Sequence, residues 1–163
     1  MRKELDAFLW RSCNKATLDS LLDVSRGQYD VRLTKRDYER FFRGLSPHAP
    51  TALDGYNITV ALQPFSGINP VGEAQIVVRY LGPKSSRKDW IISSQRPDSA
   101  YELWRENRGF VSRQSVGEKD FIVIARDVDN GFHGRWIRSE DFNTLPDVMR
   151  QPMNSSEAGW QQL

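Results

Sequence analysis

The chain has 163 residues, of which 39% are hydrophobic and 27% are charged. This length suits one domain that buries roughly 70% of its unfolded surface, so neither a metal nor a disulfide is needed to stabilise it. The one cysteine excludes an internal disulfide, and with only two histidines a Cys/His zinc site cannot be assembled. The net charge of +2 is mildly basic and does not by itself indicate a nucleic-acid partner.

The patterns at the N-terminus indicate location as well as structure. The sequence has no apolar run long enough to span a bilayer, and "MRKELDAFLW" lacks the apolar core of a secretory signal. A reducing cytoplasm is therefore the expected location. In "ELDAFLWRS", Leu5, Phe8 and Leu9 stand at helical spacing and predict a short amphipathic helix.

The next segments predict a mixture of short elements. The leucine spacing in "ATLDSLLDV" fits either a helix or a strand, "SRGQYD" is a polar loop, and "YDVRLT" is a short strand. Thr34 caps the start of "KRDYERFFRGL", whose aromatic stripe predicts a helix.

The second half of the chain is dominated by strand patterns. "YNITVALQP", "EAQIVVRYL", "WIIS", "DFIVIARDVD" and "FHGRWIR" predict strands, and "PDSAYELWREN" predicts a short helix. Asn130-Gly131 is the signal for a type I′ hairpin. "MNSSEAGWQQL" shows no pattern, so we assign residues 1–150 to one domain and residues 151–163 to a frayed tail or the start of a linker.

These elements amount to six or seven strands with two or three short helices. Turns rather than long helices separate most of the strands, which favours a mainly antiparallel barrel or sandwich. The large aromatic residues that we expect in the core are Phe8, Trp10, Phe41, Phe42, Trp104, Phe121 and Trp136.

The sequence offers no convincing catalytic constellation. Asp98 could open a nuclease signature, but such a site also needs Glu-x-Lys, and here Glu118 directly precedes Lys119. Adjacent residues of a strand point to opposite faces, so this pair cannot serve one site, and Asp98 is better explained as a helix cap. We therefore predict a non-catalytic domain without cofactor or metal.

Two polar segments combine cations with groups that both donate and accept hydrogen bonds. The first, residues 25–30, carries Arg26, Gln28, Tyr29 and Asp30, and the second, residues 83–89, carries Lys84, Ser85, Ser86, Arg87, Lys88 and Asp89. Reading base edges needs such a mixture, because Arg and Lys pair with guanine, Gln with adenine and Asp with cytosine. Two ordinary solvated loops are the other reading of these residue types.

The order of "YDVRLTKRDYERFFRGL", "GEAQIVVRYLG", "SRK", "WIIS" and "GFHGRWI" resembles the DNA-recognition domain of certain restriction endonucleases. These are enzymes of the EcoRII type, with a related domain in BfiI and NgoAVII enzymes, and they share a fold with the plant B-three transcription-factor domain. The likeness covers about residues 5–145. It implies a mainly β fold with short helices, an antiparallel seven-stranded open pseudobarrel.

In that family two arms enter the major groove from either side. The resemblance implies a first arm at residues 25–30, with "TLDSLLDV" as the preceding strand, and a second arm at residues 84–90. The implied DNA-binding residues are Arg26, Gln28, Tyr29, Asp30, Lys84, Ser86, Arg87, Lys88 and Asp89, with Arg79, Arg105 and Arg108 as flanking phosphate contacts.

The resemblance also implies partners. These are double-stranded DNA, read at a short site such as CC(A/T)GG, and a nuclease domain further along the same polypeptide in a bacterial cytoplasm. The isolated domain is expected to be monomeric. A small standalone metal-dependent nuclease and a protein-interaction barrel without DNA binding are the alternative functions.

Overall fold

A computed structural model of the chain describes residues 4–14, 31–33, 38, 40–42, 56–61, 73–80, 90–94 and 119–163. Within these residues the protein is mainly β. The strands are β1 (Leu5–Asn14), β2 (Val31–Arg32), β3 (Tyr56–Ala61), β4 (Glu73–Tyr80), β5 (Trp90–Ser94), β6 (Lys119–Asp127), β7 (Phe132–Ile137) and β8 (Ala158–Gln162). A 3-10 helix (Ser139–Thr144) and helix α1 (Asp147–Ser155) lie between β7 and β8.

The eight strands form one sheet in the order β2-β5-β4-β3-β7-β6-β1-β8. Neighbouring strands are antiparallel except β3 and β7, which run parallel with Val60 opposite Gly134. The prediction of a mainly antiparallel β domain is confirmed, and the described residues form eight strands where the resemblance implied seven. Because β2 and β8 stand at the two ends of the order, the sheet is not a closed barrel.

The sheet curls around one hydrophobic core. A flat sheet of eight strands would be roughly 34 Å wide at the usual strand spacing. Yet the Phe42 ring lies 6.0 Å from Trp90 of β5 and 5.5 Å from Phe132 of β7. The adjacent Phe41 ring lies 6.2 Å from Trp160 of β8. Strands from both halves of the sheet therefore meet at the same pair of rings.

The far side of β1 and β6 carries a second apolar cluster. Phe8 and Trp10 of β1 pack there with Phe121 and Val123 of β6, and the cover includes Met153 of α1. Both faces of β6 are thus buried, which explains why "FIVI" is a continuous apolar run rather than an alternating one.

The segment "ELDAFLWRS" is a strand, so the predicted helix is wrong. It forms most of β1, which pairs with β6 on one side and β8 on the other. Residues 7–10 are all buried, because the two clusters lie on opposite faces of this strand. Consecutive apolar residues at a doubly buried strand produce the same spacing as one face of a helix, and that coincidence misled the prediction.

The end of the chain is regular structure and not a frayed tail. Residues 151–155 complete α1, and β8 pairs with β1 with Gly159 opposite Trp10. The Trp10 Nε1 donates to the Ser156 carbonyl oxygen at 3.0 Å, and the Ser12 amide donates to Glu157 at 2.7 Å. The sequence did not predict β8 because its glutamines give no alternation of apolar and polar residues. The division of the chain into domains stays a prediction.

The Asn130-Gly131 hairpin connects β6 and β7 as predicted, but its turn is not type I′. The Asp127 amide donates to the Gly131 carbonyl at 2.9 Å, and the Asn130 amide donates to the Asp127 carbonyl at 3.0 Å. These bonds enclose a three-residue loop in which Asn130 has a φ of 63°. Such a loop is a type I turn followed by one left-handed residue, a role that asparagine tolerates.

The predicted strands and core aromatics are confirmed where the structure describes them, whereas most of the predicted helical segments lie outside the described residues. Strands β2 to β7 match the predicted strand segments, and all of the expected core aromatics are buried except Trp104, which lies outside the described residues. In "KRDYERFFRGL" the amides of Phe41 and Phe42 donate to the Tyr38 carbonyl, which makes one helical turn, and residues 35–37, 39 and 43–45 lie outside the described part. So do "ATLDSLLDV" and "PDSAYELWREN". Neither described helix is long and apolar enough to cross a membrane.

Candidate functional site

Most of the predicted DNA-binding residues lie outside the part of the chain that the structure describes. They are Arg26, Gln28, Tyr29, Asp30, Lys84, Ser86, Arg87, Lys88, Asp89, Arg105 and Arg108, and Asp98 and Glu118 of the rejected nuclease signature lie outside it as well. Arg79 is described as a backbone position within β4. The strands that adjoin both polar segments are described, and they define the base of the candidate site.

The second polar segment connects two neighbouring strands. Strands β4 and β5 are antiparallel, and their last pair is Tyr80 opposite Trp90. Tyr80 and Trp90, which flank residues 81–89 in the sequence, therefore lie at the same end of this strand pair. The sequence-based prediction that the segment joins two adjacent strands is confirmed.

The first polar segment leads into β2, which is the other neighbour of β5. Val31 pairs with Ile92 and Arg32 with Ile91, and the Leu33 amide donates to the Trp90 carbonyl at 2.7 Å. Val31 directly follows the first segment and Trp90 directly follows the second. Val31 pairs with Ile92, which is two residues from Trp90 along β5. A rise of two residues along the strand, combined with one spacing between strands, puts the α-carbons of Val31 and Trp90 about 8 Å apart. Since the strands are antiparallel, the chain enters the pair from opposite ends.

Both entry points are fixed in the hydrophobic core. Val31 is fully buried and Trp90 is 5% exposed. The Trp90 ring stacks on Phe42 and meets the edge of Tyr38 at a centroid distance of 6.1 Å. Rigid strands that carry polar connecting segments are the usual way in which binding residues are positioned on a β scaffold.

A buried arginine ties this aromatic turn to the rest of the sheet. Arg126 of β6 is 1% exposed, and its guanidinium donates to Asp6 at 2.8 Å and to the carbonyls of Arg40 and Phe41 at 3.0 and 2.6 Å. Its charge is thus paired and hydrogen-bonded, as a buried guanidinium requires. Nothing in the sequence pattern singled out this residue, because an arginine in a strand normally predicts a solvent-facing position.

The β6–β7 hairpin has a polar cluster with a structural role. The carboxylate of Asp127 is fully buried, accepts hydrogen bonds from the amides of Asp129 and Gly131 at 2.9 and 2.8 Å, and lies 2.8 Å from His133 Nε2. These bonds satisfy the loop amides and orient the histidine ring, so the cluster shapes the hairpin.

The described residues provide neither an activated thiol nor a metal site. Burial raises the pKa of the Cys13 thiol to about 12, against a smaller lowering by Arg11, so the thiol stays protonated and inert at neutral pH. No group of three or more His, Cys, Asp or Glu among the described residues is arranged to hold a metal ion.

A scan against protein-family models found no match, and a search of curated proteins found no relative. The resemblance to restriction-enzyme recognition domains therefore rests on the order of the sequence segments, and it stays a prediction.

Proposed function

We propose that this chain is a sequence-specific double-stranded DNA-binding domain of a restriction endonuclease and is itself non-catalytic. The observation that carries the proposal is the adjacency of β2 and β5. Through it the two polar segments, far apart in sequence, enter the sheet at Val31 and Trp90, about 8 Å apart. Each segment is rich in the side chains that read base edges and pair with phosphates.

The curled sheet is proposed to be an open pseudobarrel. Support comes from the core, where side chains of β1, β2, β4, β5, β6 and β7 belong to one cluster and Trp160 of β8 packs against it. The curvature of the sheet and its two unjoined end strands support this part of the proposal.

The spacing of the two segments suits one groove of B-form DNA. The major groove is about 12 Å wide. The two segments join the neighbouring antiparallel strands β2 and β5 at points about 8 Å apart, so they can contact one groove from its two sides. Within it, each bidentate contact from a residue such as Arg87 or Gln28 would contribute about 1–3 kcal/mol of discrimination between bases. Cations beside phosphates would add affinity without discrimination.

The first experiment is a selection of bound sequences from a random duplex pool, followed by gel shifts of the enriched duplex and a scrambled one at fixed salt. We expect one short motif, with CC(A/T)GG as the implied sequence, and at least a hundredfold tighter binding than to the scrambled duplex. Enrichment of no motif, with equal affinity for all duplexes, would contradict sequence recognition.

The nuclease centre is proposed to belong to another domain of the same polypeptide, so that DNA bound here targets or licenses cleavage elsewhere. Incubation of this chain with plasmid and magnesium should leave the plasmid intact. Cleavage that Asp98→Ala abolishes would instead establish the standalone nuclease.

A further inference from the structure

The eight-stranded sheet has a short parallel pairing near its middle, between β3 and β7. These two strands share register pairs only at Val60 and Ala61 of β3, whereas the antiparallel β1–β6 ladder extends from Leu5 to Asn14 of β1. Parallel pairs are also slightly less stable per residue. The β3–β7 pairing therefore divides the sheet into a first half-sheet of β2, β5, β4 and β3 and a second half-sheet of β7, β6, β1 and β8.

The second half-sheet is packed on both of its faces. One face contributes to the large core cluster, which we call the shared core because it includes residues of both half-sheets, such as Leu9 and Ile92. The other face carries the second apolar cluster. Every described member of that cluster belongs to the second half-sheet or to the segment between β7 and β8, and these members are Phe8, Trp10, Phe121, Val123, Ile137, Leu145 and Met153. The second half-sheet therefore retains a packed cluster even when the shared core opens.

The aromatic turn at residues 38–42 bridges the two half-sheets across the shared core. The Phe42 ring lies 6.0 Å from Trp90 of β5 and 5.5 Å from Phe132 of β7, and both pairs are stacked. The Tyr38 ring also meets the edge of Trp90, at 6.1 Å. The turn thus packs against the first residue of β5 on one side and against the second half-sheet on the other.

Arg126 of β6 fixes this turn to the second half-sheet. Its guanidinium donates to the carbonyl oxygens of Arg40 and Phe41 at 3.0 and 2.6 Å. It also donates to Asp6 at 2.8 Å, at the register shift of the β1–β6 ladder. Because Arg126 is 1% exposed, these bonds replace the water that the guanidinium lost on burial. A side chain without this planar set of donors could not hold the turn and Asp6 together.

We propose that the sheet opens at the β3–β7 pairing and that Arg126 holds the first half-sheet closed on the second. In the open state the second half-sheet keeps the cluster beneath α1, while the first loses the shared core to which Val31, Trp90 and Ile92 belong. Openings of part of a structure are common, and binding segments are usually drawn from the less stable part. Here β4 and β5, on either side of the second polar segment, belong to the half-sheet that opens.

A single cooperative core makes a different prediction. Residues of both half-sheets belong to the shared core, and if that packing dominated, all strands would open together. Hydrogen exchange of the backbone amides separates the two cases, because it reports the opening of each strand separately. The measurement needs no DNA, so its result does not depend on the proposed function.

The experiment compares amide protection factors, resolved by peptide, in the wild type and two variants at neutral pH. In the wild type we expect β4 and β5 to be protected about tenfold less, or weaker still, than β6 and residues 9–14 of β1. Arg126→Lys, which lacks the planar fork of donors, should lower protection in β4 and β5 by about a further tenfold, as the loss of one or two hydrogen bonds implies. Protection in residues 9–14 should change less than about threefold.

The control is Arg150→Gln on α1, which removes an arginine whose partner is the exposed Asp147 and should leave all protection factors unchanged. Equal protection in both half-sheets of the wild type would establish one cooperative unit and overturn the proposal. Unequal protection that Arg126→Lys leaves unaltered in β4 and β5 would overturn the role of Arg126. If Arg126→Lys does not fold, Phe42→Leu tests the same bridge, because it removes the stacking on Trp90 and should lower protection in β4 and β5 alone.

Discussion

Gly131 shows how a single residue defines the β6–β7 hairpin. A β-carbon added there would collide with Asp127 Oδ2 and would lie 3.1 Å from both the Asp127 Cγ and Oδ1 atoms. That carboxylate is buried and accepts hydrogen bonds from two loop amides, so it cannot move aside without weakening these bonds. Glycine is required at position 131 because the Asp127 carboxylate lies too close to leave room for a side chain. The left-handed residue of the loop is the neighbouring Asn130.

Gly131→Ala should therefore destabilise the protein by about 1–3 kcal/mol, because the clash must displace a buried hydrogen-bonded carboxylate. Urea unfolding monitored by tryptophan fluorescence measures the change. The matched control is Asn130→Gly, which places glycine at the position with φ of 63° and should be neutral or slightly stabilising. A stable Gly131→Ala protein with wild-type unfolding would show that the Asp127 contacts do not hold in solution.

Cys13 gives a prediction about alkaline stability. Its pKa in the folded protein is raised from 9.0 to about 12 by burial. Between these two pH values the unfolded chain loses the thiol proton while the folded chain keeps it. The free energy of unfolding should therefore fall as the pH rises above 9.0, by up to about 1.4 kcal/mol per pH unit.

The difference between the wild type and Cys13→Ala isolates this effect, because other groups titrate alike in both proteins. We expect the stability advantage of the wild type to shrink from pH 9 upward and to be constant below about pH 8. A difference that stays constant through this range in urea unfolding would contradict a buried, protonated thiol.

At the scale of elements, residue patterns predicted the strands β3 to β7 but not β1 and β8. Strands β3 to β7 follow from alternation or from apolar runs bounded by turn residues, and the hairpin follows from Asn130-Gly131. The errors were at β1 and β8. Both faces of β1 are covered, so its apolar residues do not alternate, and β8 is an end strand whose glutamines carry no hydrophobic pattern. Those features depend on tertiary neighbours, which local sequence does not encode.

Strand β8 should contribute measurably to stability. Trp160→Ala removes the ring that lies 6.2 Å from Phe41, and a truncation of this size costs about 3 kcal/mol when it leaves a cavity. Gln162→Ala, at an exposed position of the same strand, should stay within about 0.5 kcal/mol of the wild type. If both substitutions left the free energy of unfolding unchanged, β8 would not contribute to stability, and this segment would behave as a frayed tail.

At the scale of the whole molecule, strand pairing in the curled sheet brings β2 and β5 together although they are far apart in the sequence. The two polar segments were singled out from their composition alone, and the sequence resemblance assigned them to two arms. What sequence could not predict is that β2 and β5 are neighbours, since pairing between strands so far apart along the chain depends on the global fold.

The central claim is that the two polar segments read a DNA sequence together. Its most direct test is the ratio of affinities for the selected and the scrambled duplex, measured by gel shift at one salt concentration. The wild type is compared with Arg26→Ala, with the double variant Arg87→Ala/Lys88→Ala, and with Arg150→Ala as control. We predict that the ratio falls at least tenfold when either segment is changed and is unchanged in the control. A ratio that survives both segment changes would contradict the account.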